Sequence, residues 1–179
     1  METSRLGVKQ QLFADRELHT YAVLDGASIS GLLPKLNEHH PESVCLYRGE
    51  LQPDLAECAP YLVRLEESAE FTDWVLTEGW GQHWGIFALA PANLTQMRKH
   101  FRTFLIVKTP EDKRVYFRYY DPRVLRVYLP TCHPEETRTI FGPIVAYFCE
   151  HEQPSNLLAF RIEDGVPKRE LIPLAPSRT

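Results

Sequence analysis

The apolar runs of this chain are short, and most of them lack polar residues at alternate positions. Residues 21–24 (Tyr-Ala-Val-Leu) form one such run, and 84–90 hold another. A strand with one solvated face shows a period of two, whereas an unbroken apolar run suits a strand covered on both faces. Further runs at 44–47, 61–65, 144–149 and 157–162 extend the pattern. Between them lie stretches of helical spacing. Ile29, Leu32, Leu33 and Leu36 recur at i, i+3, i+4 and i+7, Phe71, Trp74 and Val75 share a face, and Leu94, Met97 and Phe101 repeat the stripe. The alternation predicts an α/β fold, a mixed central β-sheet with helices packed on it, with an α+β layout as the close alternative.

Turn chemistry sets the expected boundaries. Asp25-Gly26 closes the first strand and Ser28 offers an N-cap to the helix that follows. Pro60 can start a strand but cannot serve its interior ladder, and Ser68 offers a second cap, with Gly79 or Gly81 as the stop. Residues 104–107 and 115–120 read as a hairpin joined by 109–113, with Pro110 in a favourable turn position. Asp121-Pro122 reads as an N-cap followed by proline at the first helical position, and His133-Pro134-Glu135-Glu136 repeats that logic with acids at the positive end of the dipole. Gly142-Pro143 ends the second of these helices. The expected organisation is an N-terminal extension over 1–20, one domain over 21–162, and an extended tail over 163–179 that holds three prolines.

A chain of 179 residues is long enough for one domain with a real core, and 44% hydrophobic with 25% charged residues is ordinary for a globular protein. The first 20 residues contain no signal-peptide core, and no apolar stretch approaches the ~20 residues that span a bilayer, so a cytoplasmic location without membrane contact is expected. Cys45, Cys58, Cys132 and Cys149 form no CxxC pair and read as free thiols. The net charge of −4 hides an asymmetry: residues 38–78 carry ten acids against two arginines, and 98–126 carry nine Lys/Arg against three acids. Either the two segments neutralise each other or one faces an oppositely charged partner.

No GxSxG elbow, GxxxxGK[ST] loop, GxGxxG or HExxH occurs, and nine glycines leave little for a phosphate cradle. Neither a catalytic, a cofactor nor a metal site is expected. Cys132-His133 is the best candidate for thiol or metal chemistry, but sequence neighbours usually point apart and a zinc site needs further ligands that have no recognisable spacing here. His39-His40 and His83 are less specific still.

Arg48, Arg64, Arg118 and Arg123 sit in or just beyond apolar elements, where a charge is costly unless paired, and Asp25 and Asp121 are the natural partners. The alternative is exposed guanidinium forks that recognise another chain's carboxylates. A strand over 115–120 would put Val115, Phe117 and Tyr119 on one face and Tyr116, Arg118 and Tyr120 on the other. Tyr and Arg are enriched at protein-binding hot spots. Interleaved basic and aromatic residues also suit single-stranded nucleic acid, an option that the negative net charge disfavours. Trp80 and Trp84, flanked by Gly79, Gly81 and Gly85, make a second aromatic cluster, of which at least one ring reads as core.

Several stretches, in order, carry a resemblance: Tyr-Ala-Val-Leu-Asp-Gly-Ala at 21–27, Leu-Tyr-Arg-Gly at 46–49, Ala-Pro-Tyr-Leu-Val-Arg-Leu at 59–65, Gly-Trp-Gly at 79–81 with Trp84-Gly85, Val-Tyr-Phe-Arg-Tyr-Tyr-Asp-Pro-Arg-Val-Leu at 115–125, Leu129-Pro130 and Phe-Gly-Pro at 141–143. From about residue 21 to 148 the chain resembles the type VI secretion effector chaperones, the Tec/Tap adaptor family. His133 departs from the small polar residue expected before Pro134, which touches only a helix cap. The resemblance implies a bacterial cytoplasmic adaptor that binds a secreted effector protein and helps load it onto the VgrG spike, without catalysing a reaction or leaving with the effector. The competing expectations are a small cytoplasmic enzyme using Cys132 and His133, and a single-stranded nucleic-acid binding module. Arg48, Arg64, Trp80, Trp84, Tyr116, Arg118, Tyr120, Asp121 and Arg123 are the candidate site residues, for partner binding or for an internal network.

Overall fold

The structure is a computed structural model that describes residues 2–109 and 111–174. Pro110 and residues 175–179 of the expected tail lie outside the described residues. In chain order the elements are α1 (Glu2–Leu12), β1 (His19–Asp25), α2 (Leu32–His39), β2 (Ser43–Cys45), α3 (Pro53–Glu57), β3 (Pro60–Leu65), α4 (Glu70–Glu78) and β4 (Gly85–Ala90). There follow α5 (Leu94–Thr103), β5 (Ile106–Lys108), β6 (Arg114–Tyr116), α6 (Pro122–Tyr128), α7 (Pro134–Phe141), β7 (Ala146–Glu150), β8 (Asn156–Glu163) and β9 (Val166–Pro173). Seven strands form one sheet in the order β2-β3-β1-β4-β7-β8-β9, and β5 and β6 form a separate hairpin.

The α/β architecture is the one the apolar runs imply, a central sheet with helices packed on it. The sheet itself is antiparallel in every strand pair, where a mixed sheet was expected, because cover on both faces produces unbroken apolar runs in antiparallel strands as it does in parallel ones. The unbroken runs are explained by cover on both sides. Tyr21 and Val23 of β1, with Ile86 and Ala88 of β4, face a core completed by Met97 and Phe101 of α5, Leu125 of α6 and Phe141 of α7. Ala22, Leu24, Phe87 and Leu89 face the opposite core, with Val8 and Leu12 of α1, Leu32 and Leu36 of α2, and Phe71 and Val75 of α4. The sheet is therefore the middle of three layers.

Local chemistry moves several boundaries. α2 starts at Leu32 because Gly31, at φ +85°, turns the chain there, and the Ser28 hydroxyl donates to Asp25 at 2.8 Å instead of capping the helix. α4 follows Ala69, not Ser68, and stops at Gly79. The hairpin strand expected over 115–120 ends at Tyr116. A turn bond from Asp121 N–H to the Arg118 carbonyl, 3.0 Å, bends residues 118–121 into α6, so strand alternation does not extend past Phe117 and the neighbours Tyr119 and Tyr120 are both buried. Tyr119 stacks on Phe101 at 5.6 Å and donates its hydroxyl to the Phe101 carbonyl.

The two expected extensions both contribute to the fold. α1 places Val8 and Leu12 in the second core, and Lys9 pairs with Asp73 of α4 at 2.9 Å. Residues expected to trail as a tail form β9, which pairs with β8 along its whole length. The cause is Asp164-Gly165, with φ of +53° and +79°, a two-residue turn whose twist matches the strands it joins. The prolines do not prevent this, because Pro167 and Pro173 fall near the ends of a strand at the sheet edge. A chain ending at Asp164 strips β8 of its partner and removes buried Leu174. Its thermal midpoint, followed by circular dichroism, is expected to fall by about 10 °C or more, since each kcal/mol moves the midpoint by roughly 2–4 °C at this size.

Candidate functional site

β1 ends in a carboxylate. Asp25 is 1% exposed and accepts from the Ala27 N–H at 3.2 Å, the Ser28 hydroxyl at 2.8 Å and the Arg118 guanidinium at 2.5 Å. Gly26 is needed beside it, since a Cβ there would stand 2.4 Å from the Glu57 carbonyl and 2.5 Å from that of Ala59. Four positions beyond Phe117 the same design recurs. Asp121, 5% exposed, caps α6 by accepting the Arg123 N–H at 2.9 Å, and also takes the Arg123 side chain through Nε at 2.9 Å and Nη2 at 2.7 Å. Burial pushes the Asp121 carboxyl up, but the Arg123 hydrogen bonds and the charges of Arg123 and Arg118 outweigh it and hold the group below its ordinary range.

Tyr120, 2% exposed, lies beside these pairs. Its phenol is pushed up first by burial and then by Tyr47 and Asp25. The half-buried Tyr47 is raised chiefly by burial too, and its ring packs on the exposed ring of Tyr116 at 4.8 Å. Tyr47 thus connects the Asp25–Arg118 pair to an open groove of about 480 Å³. One wall of the groove is the 46–55 segment with Leu46, Arg48, Leu51 and Leu55, and the other is the β5–β6 hairpin with Ile106, Lys108, Arg114 and Tyr116.

Arg102 of α5 fixes the first wall. Its guanidinium donates to three successive carbonyls, Cys45 and Leu46 at 2.9 Å and Tyr47 at 2.8 Å. Desolvation lowers its pKa, and the like charges of Arg98 and Arg48 add to the effect. Four cations and no acid line the groove. Lys108 is bound to Asp112 at 2.6 Å, whereas among the described residues neither Arg48 nor Arg114 has a carboxylate within ion-pair distance. The charge asymmetry of the sequence is not cancelled by direct pairing either. Among the described residues the acids of 38–78 pair with Lys9, Arg16, Lys35, His39 and Arg64, and the cations of 98–126 pair with Asp25, Asp112, Asp121 and Glu152.

The nine sequence candidates therefore separate. Arg118, Tyr120, Asp121 and Arg123 gather around the β1 end and the α6 cap, while Arg48 and Tyr116 line the groove. Arg64 is at the surface between Glu42 at 3.4 Å and Glu66 at 3.3 Å. Trp80 and Trp84 belong elsewhere: Trp84 packs on Trp74 at 4.8 Å, and the Trp80 indole donates to the Pro154 carbonyl at 2.7 Å. Their loop is anchored by Glu150, a buried acid at the end of β7 that accepts from the Gly81 N–H at 2.6 Å, the His83 N–H at 3.1 Å and the His83 ring. Sequence reasoning missed Glu150, Arg102, Leu51 and Leu55. The i, i+4 spacing of the two leucines was the available signal; Arg102 gave none, because its acceptors are more than fifty positions away.

Cys132 is buried and donates to the Tyr128 carbonyl at 3.6 Å, and burial pushes its thiol up, the opposite of an activated nucleophile. The His133 N–H is held by the Glu136 carboxylate at 2.8 Å at the start of α7. Among the described residues no group of three His, Cys, Asp or Glu side chains could hold a metal, and no helix is long and apolar enough to cross a membrane.

A family model described as "Domain of unknown function (DUF4123)" matches residues 20–139. The chain belongs to the DUF4123 family. No curated protein and no solved structure matches. The DUF4123 match begins in β1 and ends within α7, so it contains both Asp–Arg pairs and both walls of the groove. It leaves out α1 and the β7–β9 strands that complete the DUF4123 sheet on one side.

The two kinds of arginine are separable by stability. Arg118→Ala leaves the buried Asp25 carboxylate without its counter-ion and is expected to cost about 1–3 kcal/mol in urea unfolding, while Arg48→Ala and Arg114→Ala stay within ~0.5 kcal/mol of the parent. Because the Asp121 pKa is depressed in the folded protein, its contribution is present above the unfolded value near ~3.9 and is lost as pH falls through the lower folded value. The stability gap between the parent and Asp121→Asn is therefore expected to close as unfolding is measured at successively lower pH below about 4.

Proposed function

We propose that this DUF4123 protein is a non-catalytic adaptor of the bacterial cytoplasm that binds a type VI secretion effector and helps load it onto the VgrG spike. The observation that carries this reading is the open groove between the 46–55 segment and the β5–β6 hairpin, where exposed Tyr116, Ile106 and Leu55 lie beside Arg48 and Arg114, neither of which has a carboxylate partner among the described residues. Exposed apolar surface with a charged rim is what a protein partner buries. The ordered motif series from residue 21 to 148 supports the same reading, because its resemblance is to effector chaperones, and the family match covers most of that stretch. Loading would need a body that keeps its shape while it holds a partner, and the groove wall pinned by Arg102 and the pairs at Asp25 and Asp121 suit that task.

The thiol-enzyme alternative has the raised Cys132 against it. The adaptor reading is tested by co-expression with effector candidates encoded beside the gene and with their VgrG protein. A complex that stays together through affinity capture and size exclusion is expected. Failure of every neighbouring candidate to co-purify with the intact protein overturns the reading.

A further inference from the structure

We infer that the groove lined by Arg48, Lys108, Arg114 and Tyr116 takes a short acidic, amphipathic segment of a partner protein, with carboxylates at the rim and aliphatic or aromatic side chains on the floor. The inference rests on the adaptor reading in one respect, that the partner is a protein, and it specifies the chemistry of the segment recognised.

The floor is apolar. Leu46 and Leu105 are buried beneath it, while Leu55, Ile106 and Tyr116 are 46%, 50% and 53% exposed, which is costly surface for a chain to leave open. The charged residues of the lining itself are all cations. Arg48 and Arg114 are exposed and unpaired among the described residues, and each offers a planar fork that fits a carboxylate. Arg102 adds positive charge from beneath, yet its own donors are engaged on the carbonyls of Cys45, Leu46 and Tyr47. Those occupied carbonyls lie where the edge strand β2 leaves the sheet, so recognition through side chains is favoured there over strand addition.

An acidic peptide fits better than the other polyanion of a cell. Nucleic acid in a cationic channel uses aromatic rings as stacking platforms. Here the floor is mainly leucine and isoleucine, and the two tyrosines pack on each other.

The test uses the full chain and a random-peptide display library, panned in parallel on the parent and on the Arg48→Glu/Arg114→Glu variant, with Tyr116→Ser as a second variant in case the first shifts the thermal midpoint. Peptides that the parent selects and the variant does not are expected to be rich in Asp or Glu interspersed with Leu, Ile, Val or Phe. A synthetic peptide of that consensus should bind the parent about tenfold or more tightly than either variant by fluorescence anisotropy, with affinity falling as salt rises. Absence of parent-specific enrichment, enrichment of basic or uncharged peptides, equal binding by the variants, or displacement of the peptide by a single-stranded oligonucleotide at lower concentration each overturns the inference. The outcome is separable from that of the adaptor reading: an effector complex that forms while the library gives nothing sinks only the groove, and a groove that selects acidic peptides while no neighbouring effector binds sinks only the adaptor.

Discussion

Asp25 stands where the two cores, the turn after β1 and the segment leading into α6 all meet. β1 is paired on both sides, with β3 and with β4, and is buried on both faces, so the position of its last residue is fixed from every direction. A carboxylate left in such a place without partners would be destabilising by several kcal/mol. It is satisfied by the 26–28 turn on one side and by Arg118 on the other, which ties a residue ninety-three positions away to the centre of the sheet. Once Arg118 is held there, the bend at 118–121 follows, Tyr119 and Tyr120 turn inward together, and Asp121 is placed to start α6.

The same constraint divides the molecule into a part anchored at buried carboxylates and an exposed one. The Asp25–Arg118 and Asp121–Arg123 pairs join backbone to side chain at buried carboxylates, while the β5–β6 hairpin is a two-stranded ribbon outside the main sheet. Arg102 bridges the two regimes. It belongs to a helix whose Met97 and Phe101 are fully buried, and it grips the chain leaving the edge strand at three consecutive carbonyls. The start of one groove wall is thereby tied to the core, and the other is a hairpin carrying Ile106, Arg114 and Tyr116 toward solvent.

The sequence was most legible where a single local rule decides the outcome. Unbroken apolar runs indicated a sheet covered twice, and Asp121-Pro122 marked the start of α6 with the cap that the structure shows. It was least legible where distant residues decide. Strand alternation placed Tyr119 and Tyr120 on opposite faces, but a turn and a buried stack on Phe101 prevail over it. β9 was hidden because Lys168, Arg169 and Glu170 look like a solvated tail, although the Asp164-Gly165 pair before it is a strong hairpin signal. Of the groove, only Arg48 and Tyr116 stood out in the sequence; Arg102, Lys108, Arg114 and the two leucines become a surface only once residues some fifty positions apart are folded together.

The strand order has a consequence for how the protein is made. β3, β1 and β4 come from the first half of the chain, but β7, β8 and β9, which complete the sheet beside β4, are translated after all the helices. Helix α1 has Leu174 against Gly7, so an element that precedes the whole sheet meets this neighbour only when the rest of the described fold has emerged. Long-range pairing of this kind slows folding, because loop-closure entropy must be overcome before the contacts form. During synthesis the backbone edge of β4 stays unpaired until β7 arrives, and an open strand edge of this kind is prone to pair with other chains.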